Sequence, residues 1–208
     1  SRFRFREVCE IEVFLLLVDL DKKKTLGIDK IHPFLLSITA FEIYKPLTYI
    51  MNLSIRSGKF PNNLKIAKVI PIFKQGSRTF CNNYRPISIL PVLSKILEKC
   101  VSNQLNFYLM SNNLLVPNQF GFSSGKTTTD CLVDLVEEIS LNLDEGNYVL
   151  TLFLDLTKAF DTVNHSILLS KMETYGIQSL ENLWFKSYLQ KRKQRVFVNG
   201  VYSDTYSV

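Results

Sequence analysis

The sequence predicts an α+β fold that combines helices with short strands. The first 60 residues have apolar positions at helical spacing. Two runs rich in β-branched residues, Ala67 to Phe73 and Arg85 to Leu90, flank a polar segment that contains glycine, which is typical of two paired strands. A third apolar run, Tyr148 to Leu154, follows a strong turn at Asp144 to Asn147 and predicts a further strand.

Composition indicates a folded chain. The 208 residues are 46% hydrophobic and 21% charged, which suits one large or two small domains with a buried core. The longest apolar stretch, Val13 to Val18, is far shorter than the roughly 20 residues of a membrane-spanning helix, so we expect no membrane insertion. The four cysteines are widely separated, which favours a reduced, intracellular setting.

Helix signals dominate the first half of the chain. A first helix is predicted over Glu10 to Leu20, and Pro33 can open a second. A break at Tyr44 to Pro46 is expected to lead to a third helix that ends at Gly58. Pro91 can begin a fourth, long helix.

Helices and a hairpin are also predicted in the second half. Thr128 or Thr129 can cap a helix whose buried stripe would be Leu132, Leu135, Val136 and Ile139. Further helices are expected over Ser166 to Tyr175 and Leu180 to Leu189. Asn199-Gly200 predicts a two-residue turn between two short strands.

Charge is distributed unevenly. The net charge is +6, yet the segment from Ile43 to Leu97 has no acidic residue and carries +9, so the rest of the chain carries −3. Such a segment indicates a polyanion partner, most commonly nucleic acid or nucleotide phosphates, although a solvated basic face is the alternative.

A second basic cluster mixes cations with aromatic rings near the end of the chain. Trp184, Phe185 and Tyr188 could stack on bases, or could form the buried stripe of a short helix, and the sequence leaves both open. The neighbouring cations are Lys186, Lys191, Arg192, Lys193 and Arg195.

Asp155 is the candidate for chemistry because it ends the apolar run that begins at Tyr148. A carboxylate at the end of a buried strand is costly unless it is hydrogen-bonded, paired or bound to a cation. Magnesium prefers such oxygen ligands. The alternative is that Asp155 or Asp161 caps the following turn.

Several sequence blocks resemble the reverse transcriptases of non-LTR retrotransposons. The blocks that carry the resemblance are residues 27–29 (GID), 58–61 (GKFP), 70–74 (IPIFK), 83–88 (NYRPIS), 119–128 (QFGFSSGKTT) and 153–163 (FLDLTKAFDTV). They occur in the family's order and extend from about Glu10 to the end. Around Gly125 the chain departs from the family, which more often has arginines on either side of this glycine.

The resemblance implies an incomplete right-hand polymerase fold, with helical and hairpin fingers and the start of a palm sheet. It divides the chain into a helical N-terminal extension (1–60), fingers (61–145) and a partial palm (146–208). The basic segment then falls mainly in the fingers.

The resemblance also implies roles for five residues. Asp155 would bind two Mg²⁺ ions, and the backbone carbonyl of Leu156 would help to hold one of them. Lys74 and Arg85 would bind the triphosphate of the incoming deoxynucleotide. Phe160 would lie beneath its sugar and exclude a 2′-hydroxyl, with core packing as the alternative role. Asp161, beyond a turn, is assigned a structural role.

The sequence contains no Asp-Asp pair, which the family supplies further along the chain. We therefore expect a fragment of an RNA-directed DNA polymerase that is inactive by itself, with RNA template, DNA primer, deoxynucleoside triphosphates and the downstream half of the polymerase as partners. The alternative is a catalytically dead retroelement remnant that binds RNA. The resemblance implies a nuclear location.

Overall fold

The structure is a computed structural model that describes residues 1–156 and 159–208. These residues form two compact units. The larger unit consists of Ser1–Tyr108 and His165–Val208, and the smaller unit of Leu109–Asn164. Helices and strands are both present, as the α+β prediction requires. The predicted division into a helical extension (1–60), fingers (61–145) and a partial palm (146–208) assigns functional parts to the chain, and it stays a prediction.

Four helices come from the first half of the chain: α1 (Glu10–Val18), α2 (Pro33–Ile38), α3 (Ala40–Ser57) and α4 (Val92–Ser111). Helix α3 ends at Gly58, whose φ of 63° lies in the left-handed region. A Cβ at this position would also approach Leu180 Cδ1 to 2.8 Å. Glycine therefore both stops α3 and lets residue 180 come close.

The predicted helix break at Tyr44 to Pro46 is wrong. Pro46 lies inside α3, and the break falls at Thr39 instead. Proline removes one helical hydrogen bond. Burial of Leu47, Met51 and Ile55 on the same helix offsets that loss, because each of these side chains is almost fully removed from water.

One five-stranded sheet belongs to the larger unit. It contains β1 (Ile66–Phe73), β2 (Tyr84–Ile89), β3 (Lys193–Val198), β4 (Val201–Tyr202) and β5 (Tyr206–Ser207) in the order β2-β1-β3-β4, with β5 also paired to β3. The β1–β2 and β3–β4 pairs are the two antiparallel hairpins that the sequence predicts. The parallel pairing of β1 with β3, which places Lys68 opposite Arg195, joins segments more than a hundred residues apart in the chain.

The core of the larger unit surrounds Trp184, which lies on α7 (Ser179–Leu189) and is 1% exposed. Its ring stacks on Tyr188 and meets Phe5, Phe60 and Phe185 edge-on. Its Nε1–H donates to Ser54 Oγ at 3.0 Å. Trp184 is thus a core residue, as the helix-stripe interpretation predicts. Helix α6 (His165–Thr174) packs beside α7.

The smaller unit contains α5 (Thr128–Asp144) and the last turn of α4. Thr127, rather than Thr128 or Thr129, caps α5, in a capping box with Asp130. The predicted buried stripe is wrong: Leu132 and Val136 are more than half exposed, and Leu135 and Ile139 are half-buried. Apart from the end of α4, α5 is the one helix or strand described in this unit, so no second element of the unit covers its apolar face.

The predicted strand from Tyr148 to Leu154 is also wrong. Residues 147–156 belong to no helix or strand, and Tyr148, Leu150 and Leu154 are almost fully exposed. A strand exists only by pairing with a neighbour. All five strands in the described part of the chain lie in the larger unit and pair with one another. None of the described helices is both long enough and apolar enough to cross a membrane.

Replacing Trp184 with alanine is expected to lower the free energy of unfolding of the larger unit by about 3–5 kcal/mol, because it leaves a large cavity and removes the N–H that donates to Ser54 Oγ. Urea denaturation measures this change. The matched control is Phe107→Ala, an aromatic side chain that is 75% exposed and whose loss is expected to cost about 0.5 kcal/mol or less. Equal losses in the two variants would contradict the assigned core.

The thiols provide a second test of the core. Cys9, Cys81 and Cys131 are exposed, whereas Cys100 is buried on α4, and burial raises the pKa of its thiol to about 12. We expect a thiol reagent at neutral pH to modify three cysteines in the folded protein and the fourth only after denaturant is added, because the thiolate is the reactive form. Modification of all four at one rate would show that α4 is not packed in this way.

Candidate functional site

Asp155 is exposed and lies in the smaller unit, at the end of the unpaired segment 147–156. It takes part in none of the ion pairs formed among residues 1–156 and 159–208. Its carboxylate oxygens are thus accessible to a ligand. The interpretation of Asp155 as a metal ligand stays a prediction.

Two other predicted site residues follow Asp155 in the same unit. Leu156 and Phe160 expose 77% and 76% of their surface. The Phe160 ring meets the ring of Phe122 edge-on, with centroids 5.6 Å apart and planes at 88°. Two of the motif blocks, 119–128 and 153–163, are therefore in contact within the smaller unit.

Phe122 is a residue to which sequence reasoning assigned no role. It is 94% exposed and has a φ of 60°, which a bulky side chain rarely adopts. The sequence feature that could have singled out Phe122 is its position between Gly121 and Gly125 in the loop. In the same loop, the Lys126 ammonium donates to the Pro117 carbonyl and lies 4.7 Å from the centre of the Phe120 ring.

The remaining residues of the 153–163 block are only partly described. Thr157 and Lys158, which belong to the motif, lie outside the described residues. Asp161 is exposed in a turn, and Thr162 Oγ1 in the same turn donates to the Ala159 carbonyl at 3.3 Å. The structural role of Asp161 stays a prediction.

Lys74 and Arg85 lie in the larger unit at the loop end of the β1–β2 hairpin, and both are exposed. Arg85 pairs with Ile72 across the hairpin, and the Lys74 N–H donates to the Asn83 carbonyl at 2.8 Å. Since side chains alternate along a strand, residues 72, 74 and 85 share one face. The hairpin therefore brings the two predicted triphosphate ligands together on one face.

Asn83 fixes the loop between these two residues. Its side-chain amide donates to the Ser77 carbonyl at 2.7 Å, and Gly76, with a φ of 85°, has room for Asn83 only because it lacks a Cβ. Backbone and side-chain contacts thus hold the end of the hairpin in place.

The nine cations between Ile43 and Leu97 have few acidic partners in the fold. Arg56, 3.4 Å from Glu7, is the only one of them in an ion pair within the described residues. Three others contact rings instead: Lys45 lies 5.7 Å from the centre of Tyr44, Lys68 lies 4.0 Å from that of Phe197, and Arg78 lies 5.0 Å from that of Phe73. The excess positive charge read from the sequence therefore remains uncompensated in the larger unit.

Carboxylates are sparse at the predicted metal site. No group of three or more histidine, cysteine, aspartate or glutamate side chains lies within metal-binding reach among the described residues. The predicted residues thus form two groups, each within one unit: Lys74 with Arg85, and Asp155 with Leu156 and Phe160.

Comparison with known proteins assigns both groups of predicted residues to one family match. Residues 72–206 match the family model described as "Reverse transcriptase (RNA-dependent DNA polymerase)". The match includes all five predicted site residues. It covers well over half of the chain, so the chain belongs to the reverse transcriptase family.

The relatives place it more narrowly, among the RNA-directed DNA polymerases of non-LTR retrotransposons. It is 32% identical over 199 residues to the probable RNA-directed DNA polymerase from transposon BS of Drosophila melanogaster, covering 92% of this chain and 21% of the relative. It is 32% identical over 194 residues to the RNA-directed DNA polymerase from mobile element jockey of the same species, covering 93% and 21%. The chain thus spans about a fifth of the length of these relatives.

Proposed function

We propose that this chain forms the fingers and the first part of the palm of a right-hand RNA-directed DNA polymerase that acts in the nucleus. The observation that carries the proposal is the family match over residues 72–206, because it includes both groups of predicted site residues. Its substrates would be an RNA template, a DNA primer and deoxynucleoside triphosphates.

Asp155 would supply a carboxylate for two Mg²⁺ ions, and the Leu156 carbonyl would assist it. The chemistry of these two residues suits this role, because a carboxylate and a backbone carbonyl are both hard oxygen ligands. The Asp155 side chain is also exposed and takes part in no ion pair among the described residues. When bound, the metal ions would activate the primer 3′-hydroxyl and stabilise the leaving pyrophosphate. One carboxylate cannot hold such a pair, so the further ligands would come from the downstream half of the polymerase.

Three side chains would position the nucleotide. Lys74 provides a point charge and Arg85 a planar fork, and the two suit the negative oxygens of a triphosphate. Phe160 would lie beneath the sugar and exclude a 2′-hydroxyl, and its contact with Phe122 would hold the ring in place.

The exposed apolar surface of the smaller unit supports the need for a downstream half. Segment 148–156 and the stripe on α5 expose large apolar side chains, among them Tyr148, Leu152, Phe153 and Val136. Soluble proteins rarely leave so many large apolar side chains of one unit uncovered. We propose that the downstream half covers it and supplies partner strands to residues 148–154.

A second function, RNA binding without catalysis, is favoured by one separate observation. The whole basic segment belongs to the larger unit, which has its own sheet and its own core around Trp184. A catalytically dead remnant could therefore still bind RNA through this unit.

The first prediction concerns catalysis. The 208-residue chain alone is expected to extend no primer on an RNA template with magnesium and deoxynucleotides, because its site lacks the other carboxylates. Residues 1–208 joined to the part of the jockey polymerase that follows the matched region are expected to restore synthesis. In that chimera, Asp155→Asn is expected to lower primer extension by about a thousandfold, equivalent to about 4 kcal/mol.

The matched control is Asp161→Asn, which neutralises an exposed carboxylate in the same region and is expected to retain most of the activity. Robust synthesis by the 208-residue chain alone would contradict the proposed division of the site. Equal losses in the two variants of the chimera would contradict the role of Asp155.

The second prediction concerns RNA binding by the chain as given. For single strands the logarithm of affinity falls with the logarithm of salt concentration by about 0.7 per phosphate contact, so about four contacts would reduce affinity about fiftyfold between about 50 and 200 mM salt. Filter binding with a single-stranded RNA across this range measures the slope. Binding that does not change with salt would contradict both proposed functions.

A further inference from the structure

A cavity of about 380 Å³ lies in the larger unit, between the end of α3 and helix α7. Four lysines line it: Lys59, Lys65, Lys186 and Lys191. No aspartate or glutamate is among its lining residues. The cavity thus concentrates positive charge in a concave site that is lined by none of the five predicted polymerase residues.

Lys65 is the unusual member of this group because it is only 3% exposed. It takes part in no ion pair among residues 1–156 and 159–208. Burial lowers the pKa of its ammonium, and the charges of Arg192 and Lys191 lower it further. A buried cation faced by other cations is costly unless an anion compensates it.

Arg192 is a second cation near Lys65, and its guanidinium carbon lies 4.1 Å from the centre of the Tyr188 ring. Its nearest carboxylate contact is 3.9 Å long, between Nη2 and Glu98 Oε1, and this buried nitrogen has no hydrogen-bond partner in the described part of the chain. Burial raises the pKa of the Glu98 carboxyl, which its hydrogen bond with Ser94 and the charge of Arg192 oppose. Arg192 takes part in no other ion pair among residues 1–156 and 159–208.

The cavity also offers neutral hydrogen-bond donors beside the lysines. Ser187 Oγ accepts a hydrogen bond from the Phe60 N–H at 3.0 Å, which leaves the hydroxyl hydrogen to donate. Gln190 and Asn62 contribute side-chain amides. Ammonium groups combined with hydroxyl and amide donors suit phosphate oxygens.

We propose that this lysine cavity binds phosphate groups of the nucleic-acid strand, at a site separate from the triphosphate ligands Lys74 and Arg85. Four lysines exceed the charge of one phosphate, about −1.5 to −2 as a monoester, and this favours a polyanion over a single small anion. The inference rests on the proposed nucleic-acid binding of the chain, which it deepens by naming a contact surface.

The test measures the affinity of the whole chain for a single-stranded RNA by fluorescence anisotropy across a salt series. Lys186→Gln combined with Lys191→Gln removes two exposed charges from the cavity. We expect about a 25-fold loss of affinity at about 0.1 M salt and a salt slope shallower by about 1.4. The matched control, Lys22→Gln with Lys23→Gln, removes two exposed charges from the α1–α2 loop and is expected to change affinity less than about twofold.

A Lys65→Met variant tests the buried charge without relying on RNA. Because the pKa of Lys65 is lowered in the folded protein, the folded state binds fewer protons than the unfolded state at alkaline pH below 10.5, and stability rises with pH there. Urea denaturation between about pH 7 and 10 should show this rise in the wild type and a smaller rise in the variant. The variant is expected to fold, since methionine replaces a buried cation with an apolar group.

Inorganic phosphate serves as the second probe. Thermal unfolding in phosphate and in chloride at equal ionic strength reports on binding to the folded state, and phosphate is expected to raise the melting temperature of the wild type but not of Lys65→Met. If phosphate stabilises only the wild type while RNA affinity is the same in the cavity and control double variants, the site binds a free phosphate compound and the strand assignment is overturned.

The remaining outcomes separate this inference from the proposed function. Salt-dependent RNA binding that the cavity and control variants weaken equally would overturn the cavity alone. RNA binding by the wild type that is independent of salt would overturn the proposed function, and the phosphate experiment would then decide the cavity by itself. Selective loss of RNA affinity in the cavity variant supports the proposal.

Discussion

The packing of Trp184 against the end of α3 is the interaction on which the larger unit depends. Its indole N–H donates to Ser54 Oγ, and that hydroxyl donates in turn to the Lys59 carbonyl at 2.7 Å. A residue near the end of the chain therefore fixes the turn that leads into β1. Gly58 allows this turn to approach α7, because a Cβ there would clash with Leu180. The same contacts bring together the two segments that line the lysine cavity.

The parallel pairing of β1 with β3 follows from this packing. Once α7 is fixed on α3, the strand that follows α7 lies beside β1, and Ile66 to Val69 pair with Lys193 to Val196. This pairing joins residues more than a hundred positions apart, and its loop-closure cost must be offset by long-range contacts such as those of Trp184. The hairpin that carries Lys74 and Arg85 is thereby attached to a sheet and a core rather than left as an isolated strand pair.

Local signals explain which elements the sequence could predict. The β1–β2 hairpin lies within a residue of its predicted bounds, and Asn199 and Gly200 adopt the positive φ angles that their two-residue turn requires. The strand predicted over residues 148–154 does not form, because a strand needs a partner strand and no local sequence pattern supplies one. For the same reason, the apolar stripe of α5 predicted burial but not the element that would cover it. The candidate site was predicted only as residue types and motifs. The Phe122–Phe160 contact and the burial of Lys65 arise from tertiary packing.

Two buried lysines, Lys65 and Lys68, differ in the groups that surround their ammonium groups. Lys68 is buried like Lys65, but its ammonium lies over the faces of Phe197 and Tyr202, whose negative π-faces stabilise it. Burial lowers the pKa of Lys65 instead, and the charges of Arg192 and Lys191 lower it further. The sheet therefore compensates one buried cation internally, whereas the other takes part in no ion pair among the described residues. An anion that enters the cavity gains from all four lysines at once, because their mutual repulsion falls when it binds.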